Sequence, residues 1–103
     1  MTDLTRENYD REVGRAEGPV LIDFTADWYA PCRQQEDVIR RLSGEYGDKC
    51  KFCRVDIDRQ EGLALQFDIF QIPTLVLLQD DEVIQRISGL RSRDEILEIL
   101  DLN

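Results

Sequence analysis

Residues 26–33 read Ala-Asp-Trp-Tyr-Ala-Pro-Cys-Arg, and this stretch joins two segments of different pattern. Before it, residues 20–25 form a short apolar run rich in β-forming side chains, which predicts a strand buried on both faces. After it, residues 31–46 carry apolar side chains at helical spacing, with Cys32 seven residues before Ile39 on the same face. A strand that leads through a loop into a helix is where α/β sheets place their functional sites.

The rest of the chain continues this alternation of strands and helices. Further strands are predicted at 52–57, 74–78 and 82–87, the last two as a hairpin about Asp80-Asp81, and further helices at 5–16, 63–67 and 92–100. Only residues 2–4 are available for a strand before the first helix. We therefore expect a single α/β domain, residues 1–103, with three α/β/α layers, a central mixed sheet of four to five strands and about four helices.

Composition excludes several classes of function. The formal net charge of −9 argues against nucleic acid or anionic lipid as partner, because phosphate binding needs clustered Lys and Arg. There is no histidine, which removes the usual general base and most zinc sites, so we expect no metal and no cofactor. No apolar run approaches the ~18 residues of a membrane span, and no signal peptide is visible at the N-terminus. We expect a cytoplasmic protein without a membrane partner.

The three cysteines, at positions 32, 50 and 53, are predicted to be free thiols. Their number is odd and no export signal accompanies them, which disfavours structural disulfides. Cys50 and Cys53 spell C-x-x-C, but on a strand such residues face opposite ways and lie ~10 Å apart. A disulfide needs Cα atoms within about 7 Å. We expect Cys53 in the core and Cys50 at the end of a strand.

With three further features, the quoted stretch resembles the thioredoxin family over essentially the whole chain. An acid, Asp23, lies inside the apolar strand; Ile72-Pro73-Thr74 matches the family's cis-proline loop at the family's spacing from Cys32; and Gly89 follows at the expected distance. The W-x-x-P-C pattern alone would be weak evidence for this resemblance, whereas the four features at the family's spacing are strong evidence. The resemblance implies a thioredoxin fold and thiol–disulfide exchange.

The family's chemistry assigns a role to each matching residue. In W-C-x-P-C the first thiol sits at a helix N-terminus and attacks a substrate disulfide, and the second thiol resolves the mixed disulfide. By resemblance, Cys32 is the second thiol and Asp23 is the buried acid that exchanges a proton with it. The matching active-site motif consists of Trp28, Tyr29, Ala30 and Pro31. The residues that match the rim for an extended substrate segment are Trp28, Ile72, Pro73, Thr74, Gly89 and Leu90.

This sequence departs from the family at the attacking thiol, where Tyr29 stands. A phenol cannot open a disulfide, so the two-thiol cycle is not available at this motif. Cys32 remains, and the helical pattern places it on the inward side, where access is restricted. The next helical residues are also unusual, because Gln34, Gln35 and Asp37 replace the family's apolar residues and its later proline.

Two functions remain open at this stage. The first is a monothiol redox protein, resembling a protein-disulfide oxidoreductase without its attacking cysteine, in which Cys32 forms a mixed disulfide that an external thiol releases. The second is a redox-inactive binding module that holds an extended peptide or partner protein in the Trp28/Pro73 groove. We expect a monomer, with a partner that exposes a disulfide or thiol and with a small thiol as candidate reductant.

Asp23 has two interpretations that are compatible with each other. A carboxylate among apolar side chains needs a partner or a raised pKa. It is expected to form an ion pair with Arg54, which matches a basic position in the family, to accept the proton of Cys32, or to do both.

Overall fold

Five strands lie in residues 1–102, the part of the chain that the computed structural model describes. They are β1 (Thr2–Asp3), β2 (Pro19–Thr25), β3 (Lys51–Asp56), β4 (Thr74–Gln79) and β5 (Glu82–Ser88). They form one sheet in the order β1-β3-β2-β4-β5. β3 is parallel to β1 and β2, whereas β4 is antiparallel to β2 and β5 to β4. The sheet is therefore mixed, with β2 at its centre.

Helices cover both faces of the sheet. They are a π-helical segment (Asp10–Gly14), α1 (Ala30–Tyr46), α2 (Glu61–Gln66) and α3 (Arg93–Ile99). The three-layer α/β/α arrangement with a mixed sheet, predicted from the alternation of patterns, is confirmed. Within residues 1–102, no helix combines the length and apolar character needed to cross a membrane.

Two cores lie on opposite faces of β2, because side chains alternate along a strand. Val20, Ile22 and Phe24 pack on one face, in the cluster that also contains Val13, Cys53, Leu63 and Phe67. Leu21 packs on the other face with Ile39 and Leu42 of α1 and with Ile96 of α3. The strand is buried on both faces, as its continuous apolar run predicts.

The first helix differs from its prediction. A regular helix was expected from residue 5, but the chain first makes a turn closed by Thr5 and Asn8. The Thr5 N–H donates to Asn8 Oδ1 at 2.8 Å, and the Asn8 N–H donates to Thr5 Oγ1 at 3.1 Å. The helix that follows is a short π-helical segment, in which a Cβ on Gly14 would lie 2.7 Å from Asp10 Oδ1.

Two local predictions in the C-terminal half are confirmed. The hairpin turns at Asp80 and Asp81, whose φ angles of 52° and 63° are those of a type I′ turn, the type that matches strand twist. α3 begins with a capping box, in which the Ser92 side chain accepts from the Glu95 N–H while the Glu95 side chain accepts from the Ser92 N–H.

Candidate functional site

The start of α1 presents an aromatic pair to solvent. Tyr29 is the N-cap residue of the helix and is 41% exposed, and Trp28 before it is 67% exposed. The two rings lie 5.8 Å apart, and the Trp28 indole N–H donates to Asp58 at 2.8 Å. Ala30 and Pro31 form the first turn behind this pair. The residue at the N-terminus of α1 thus carries a phenol at the surface.

Cys32 lies one turn further into the helix and is fully buried. Its backbone N–H donates to the carbonyl of Tyr29 at 3.0 Å, which is the first hydrogen bond of the helix. Pro31 has no N–H, and among residues 1–102 no side chain accepts a hydrogen bond as cap of this helix start. The buried thiol is therefore attached to a turn with few hydrogen bonds.

Asp23 lies in the middle of β2 and is fully buried. It is two residues from Leu21, so its side chain projects toward the face covered by α1 and α3. Within residues 1–102 neither carboxylate oxygen has a hydrogen-bond partner. Burial, together with the nearby charge of Glu36, raises the pKa of Asp23 to about 7, although the positive charge of Arg54 opposes this shift.

Arg54 does not form the predicted hydrogen-bonded ion pair with Asp23. Its Nη2 group donates to Asp27 at 2.6 Å, its Nη1 contacts Asp3 at 3.5 Å, and its Nε donates to Glu36. Two of these partners, Asp27 and Asp3, are largely exposed, whereas Glu36 is mostly buried. This alternative from the sequence was wrong.

The proline loop and the residues after β5 lie together at the rim. The Ile72–Pro73 peptide bond is cis, and the Pro73 carbonyl accepts from the Gly89 N–H at 2.8 Å. Gly89 has a φ of 92°, a conformation that favours glycine. Thr74 Oγ1 donates to the Gln71 carbonyl at 2.7 Å. The next residue after Gly89, Leu90, is exposed.

Two further polar residues of α1 contribute to the site and were not identified as site residues from the sequence. Gln35 is fully buried, accepts from the Arg91 N–H at 2.8 Å and donates to the Arg91 carbonyl at 3.1 Å. Glu36 is paired with Arg54. Gln35 and Glu36 lie three and four residues after Cys32 and therefore on the same side of the helix. This spacing is the feature of the sequence that could have identified them as site residues.

The other cysteines lie away from the motif. All three thiols, each within the described residues, are free. Cys53 and Cys50 belong to the cores on opposite faces of the sheet, as their spacing on a strand predicts. Burial raises the pKa of Cys50 to about 12 and that of Cys53 to about 11. In residues 1–102, no cluster of three or more Cys, Asp or Glu side chains is arranged to hold a metal ion.

Comparison with known proteins agrees with this geometry. The family model for thioredoxin matches residues 1–102. The chain belongs to the thioredoxin family. It is 37% identical over 103 residues to thioredoxin C-2 of Corynebacterium nephridii, an alignment covering all of this chain and 95% of that protein. It is 31% identical over 98 residues to thioredoxin of Staphylococcus haemolyticus, covering 95% of this chain and 92% of the relative. The resemblance inferred from the motif is confirmed.

Proposed function

We propose that this member of the thioredoxin family carries out thiol–disulfide exchange through a single thiol, Cys32, with Asp23 as its proton acceptor. The observation that carries the proposal is the unpaired, fully buried carboxyl of Asp23 on the face of the sheet that α1 covers. Burying a carboxyl without a partner destabilises a fold. A scaffold that only binds would gain stability by replacing it, whereas a proton acceptor for a buried thiol needs it.

The proposed reaction balances with one external thiol. The Cys32 thiol gives its proton to ionised Asp23, and its sulfur attacks one sulfur of a partner disulfide. The partner's S–S bond breaks as the mixed disulfide forms, and the other partner sulfur leaves as a thiolate. An external thiolate then attacks the partner's sulfur in the mixed disulfide, which forms a disulfide between the external thiol and the partner, and Cys32 leaves and recovers its proton from Asp23.

Opening of the first turn of α1 is required, because Cys32 is fully buried. That turn is attached through the Tyr29 N–H, which donates to Ala26 at 3.3 Å, and through the bonds of Cys32 and Arg33 to the Tyr29 carbonyl. A helix end with so few bonds opens more readily than the helix interior. We propose that displacement of Tyr29 with this turn exposes the sulfur.

The proposed partner is a protein or peptide with an exposed disulfide or thiol, bound in extended form along the rim formed by Trp28, Pro73 and Leu90. A small thiol is the proposed reductant. We further propose a monomer that acts in the cytoplasm, because three free thiols suit a reducing compartment.

The test is alkylation of the native chain with iodoacetamide across pH, with each cysteine followed by mass spectrometry. We expect Cys32 to be labelled while Cys50 and Cys53, buried thiols of the two cores, stay protected as internal controls. A Tyr29→Ala variant should label faster, because the smaller side chain leaves the first turn less covered. Labelling of Cys32 only on unfolding would overturn the proposal.

A second candidate, a redox-inactive binding module, is favoured by a different observation. The thiol of the motif is fully buried, whereas Trp28, Tyr29 and Leu90 are exposed large side chains of the kind that anchor interfaces. This function predicts that Cys32→Ser leaves affinity for an extended peptide unchanged and that Trp28→Ala weakens it. Loss of binding in the Cys32→Ser variant would exclude it.

A further inference from the structure

Arg54 lies between two carboxylates on adjacent strands but approaches only one of them. In the parallel registers, Asp3 of β1 and Asp23 of β2 are both paired with Arg54 of β3. Side chains paired in this way project from the same face of a sheet. Arg54 contacts Asp3 at 3.5 Å, while both oxygens of Asp23 are without a hydrogen-bond donor in residues 1–102. Something other than strand register therefore directs the guanidinium.

Glu36 is the mostly buried carboxylate with which the guanidinium pairs. It accepts the Nε–H of Arg54, and both side chains are mostly buried, with 13% of Arg54 and 20% of Glu36 exposed. The other two carboxylates, Asp3 and Asp27, are largely exposed, and exposed ion pairs contribute little. Glu36 also lies four residues after Cys32, on the same side of α1.

We propose that Glu36 is a positioning residue, which holds the Arg54 guanidinium away from Asp23 and so leaves that carboxyl unpaired as the proton acceptor for Cys32. The inference rests on the proposed function of Asp23. Glu36 itself touches neither substrate nor sulfur in this scheme. Its negative charge also acts on Asp23 directly; the proposed role is the additional effect that Glu36 has through Arg54.

The charges around Asp23 agree with this role. The charged groups near this carboxyl in residues 1–102 include Asp3 from β1, Arg54 and Asp56 from β3, and Glu36 from α1 with its partner Arg40, which contacts it at 3.6 Å. Apolar Leu75 of β4 is paired with Asp23, and Ile96 of α3 packs on the same face. The Asp56 carboxylate accepts a hydrogen bond from the Asp58 N–H at 2.9 Å. Arg54 is the cation paired with Asp23 in strand register, whereas Arg40 is exposed, and a direct pair between Arg54 and Asp23 would favour the ionised carboxyl and lower its pKa.

The test is a double-mutant cycle on the full chain, with the Asp23 carboxyl followed by ¹³C NMR during a pH titration. Loss of the signal in Asp23→Asn assigns it. In Glu36→Gln we expect the midpoint to fall from about 7 to roughly 6 or below, because the released guanidinium can pair with Asp23. In an Arg54→Met background, the same substitution should move the midpoint much less.

The double-mutant cycle distinguishes an effect of Glu36 through the position of Arg54 from an effect of the Glu36 charge on Asp23. Equal shifts in both backgrounds would overturn the proposal, because Glu36 would then act on Asp23 only by its own charge and not through Arg54. Glu45→Gln removes an exposed carboxylate of α1 that pairs with Arg93, and it should leave the midpoint unchanged. Glu36→Ala provides a second variant if Glu36→Gln does not fold.

The titration does not depend on reactivity of Cys32, so it tests the inference separately. A shifted midpoint with an unreactive Cys32 would support the role of Glu36 and overturn the proposed function. A labelled Cys32 with an unmoved midpoint would overturn the role of Glu36 alone. If both hold, the pH profile of Cys32 labelling should move to lower pH in Glu36→Gln by the same amount as the Asp23 midpoint.

Discussion

The Gln35 side chain makes hydrogen bonds to both backbone groups of Arg91: its Oε1 accepts from the N–H at 2.8 Å, and its Nε2 donates to the carbonyl at 3.1 Å. Gln35 belongs to α1, the helix that carries Cys32, and Arg91 follows Gly89 and Leu90 of the rim. A fully buried amide with both groups satisfied thus connects the thiol-bearing helix to the rim.

Replacement of Gln35 by leucine should destabilise the protein by about 1–3 kcal/mol, because the substitution leaves the Arg91 N–H and carbonyl without their partner. The free energy of unfolding in urea measures this cost, and amide hydrogen exchange at Arg91 should become faster. Gln34→Leu is the matched control, since Gln34 is exposed on the same helix and its loss should change stability by less than about 0.5 kcal/mol. An equal loss of unfolding free energy at the two positions would contradict a stabilising role for the hydrogen bonds between Gln35 and Arg91.

Stability should fall with rising pH because of Asp23. Burial raises its pKa from 3.8 to about 7, so between these values the folded state keeps a proton that the unfolded state has lost. The folded state is then progressively disfavoured as pH rises through this window, by roughly 4 kcal/mol in total, and the loss is complete above the folded pKa.

The Asp23→Asn variant lacks this titration and provides the comparison. Its stability relative to the unchanged chain should be least favourable near pH 4 and should improve steadily up to about pH 7. Urea unfolding at several pH values measures the difference. A constant difference across that range would show that Asp23 titrates alike in the folded and unfolded states.

Tyr29→Cys should restore two-thiol chemistry at the motif. The new thiol would occupy the exposed N-cap position of α1, where the helix dipole favours thiolate, with Cys32 one turn deeper to resolve the mixed disulfide. We expect catalysed reduction of insulin disulfides by dithiothreitol to rise on the order of 10-fold or more. The control is Tyr29→Cys combined with Cys32→Ser, which should trap the substrate instead of turning it over.

Ser92→Ala should remove the capping box of α3 and cost about 1 kcal/mol, because the Glu95 N–H loses its side-chain acceptor. Thermal or urea unfolding measures this. Ser92→Asp, another good N-cap, should retain most of the stability, and a loss as large as that of the alanine variant would argue against capping as the cause.

Local sequence signals predicted the elements and the motif of this protein. The apolar run at 20–25, the helical pattern at 31–46 and the turn at Asp80-Asp81 each correspond to an observed element. Such signals are readable because residues within one strand, turn or helix act on one another at fixed spacing. The one element predicted in the wrong form was the helix after Thr5, where the contact between Asp10 and Gly14 is accompanied by a wider turn.

The partners of buried polar groups were decided by the tertiary structure alone. Sequence showed that Asp23 needs a partner or a raised pKa, but four carboxylates from separate segments compete for the single guanidinium of Arg54. Which of them it meets depends on how α1 and the loop before it lie over the sheet, and in the fold Glu36 and Asp27 are within reach. The bridge from Gln35 to Arg91 spans 56 residues of chain for the same reason. Sequence thus determined the fold, because the local patterns of strand, turn and helix specify it, whereas long-range packing determined which charges are paired and which carboxyl is left alone.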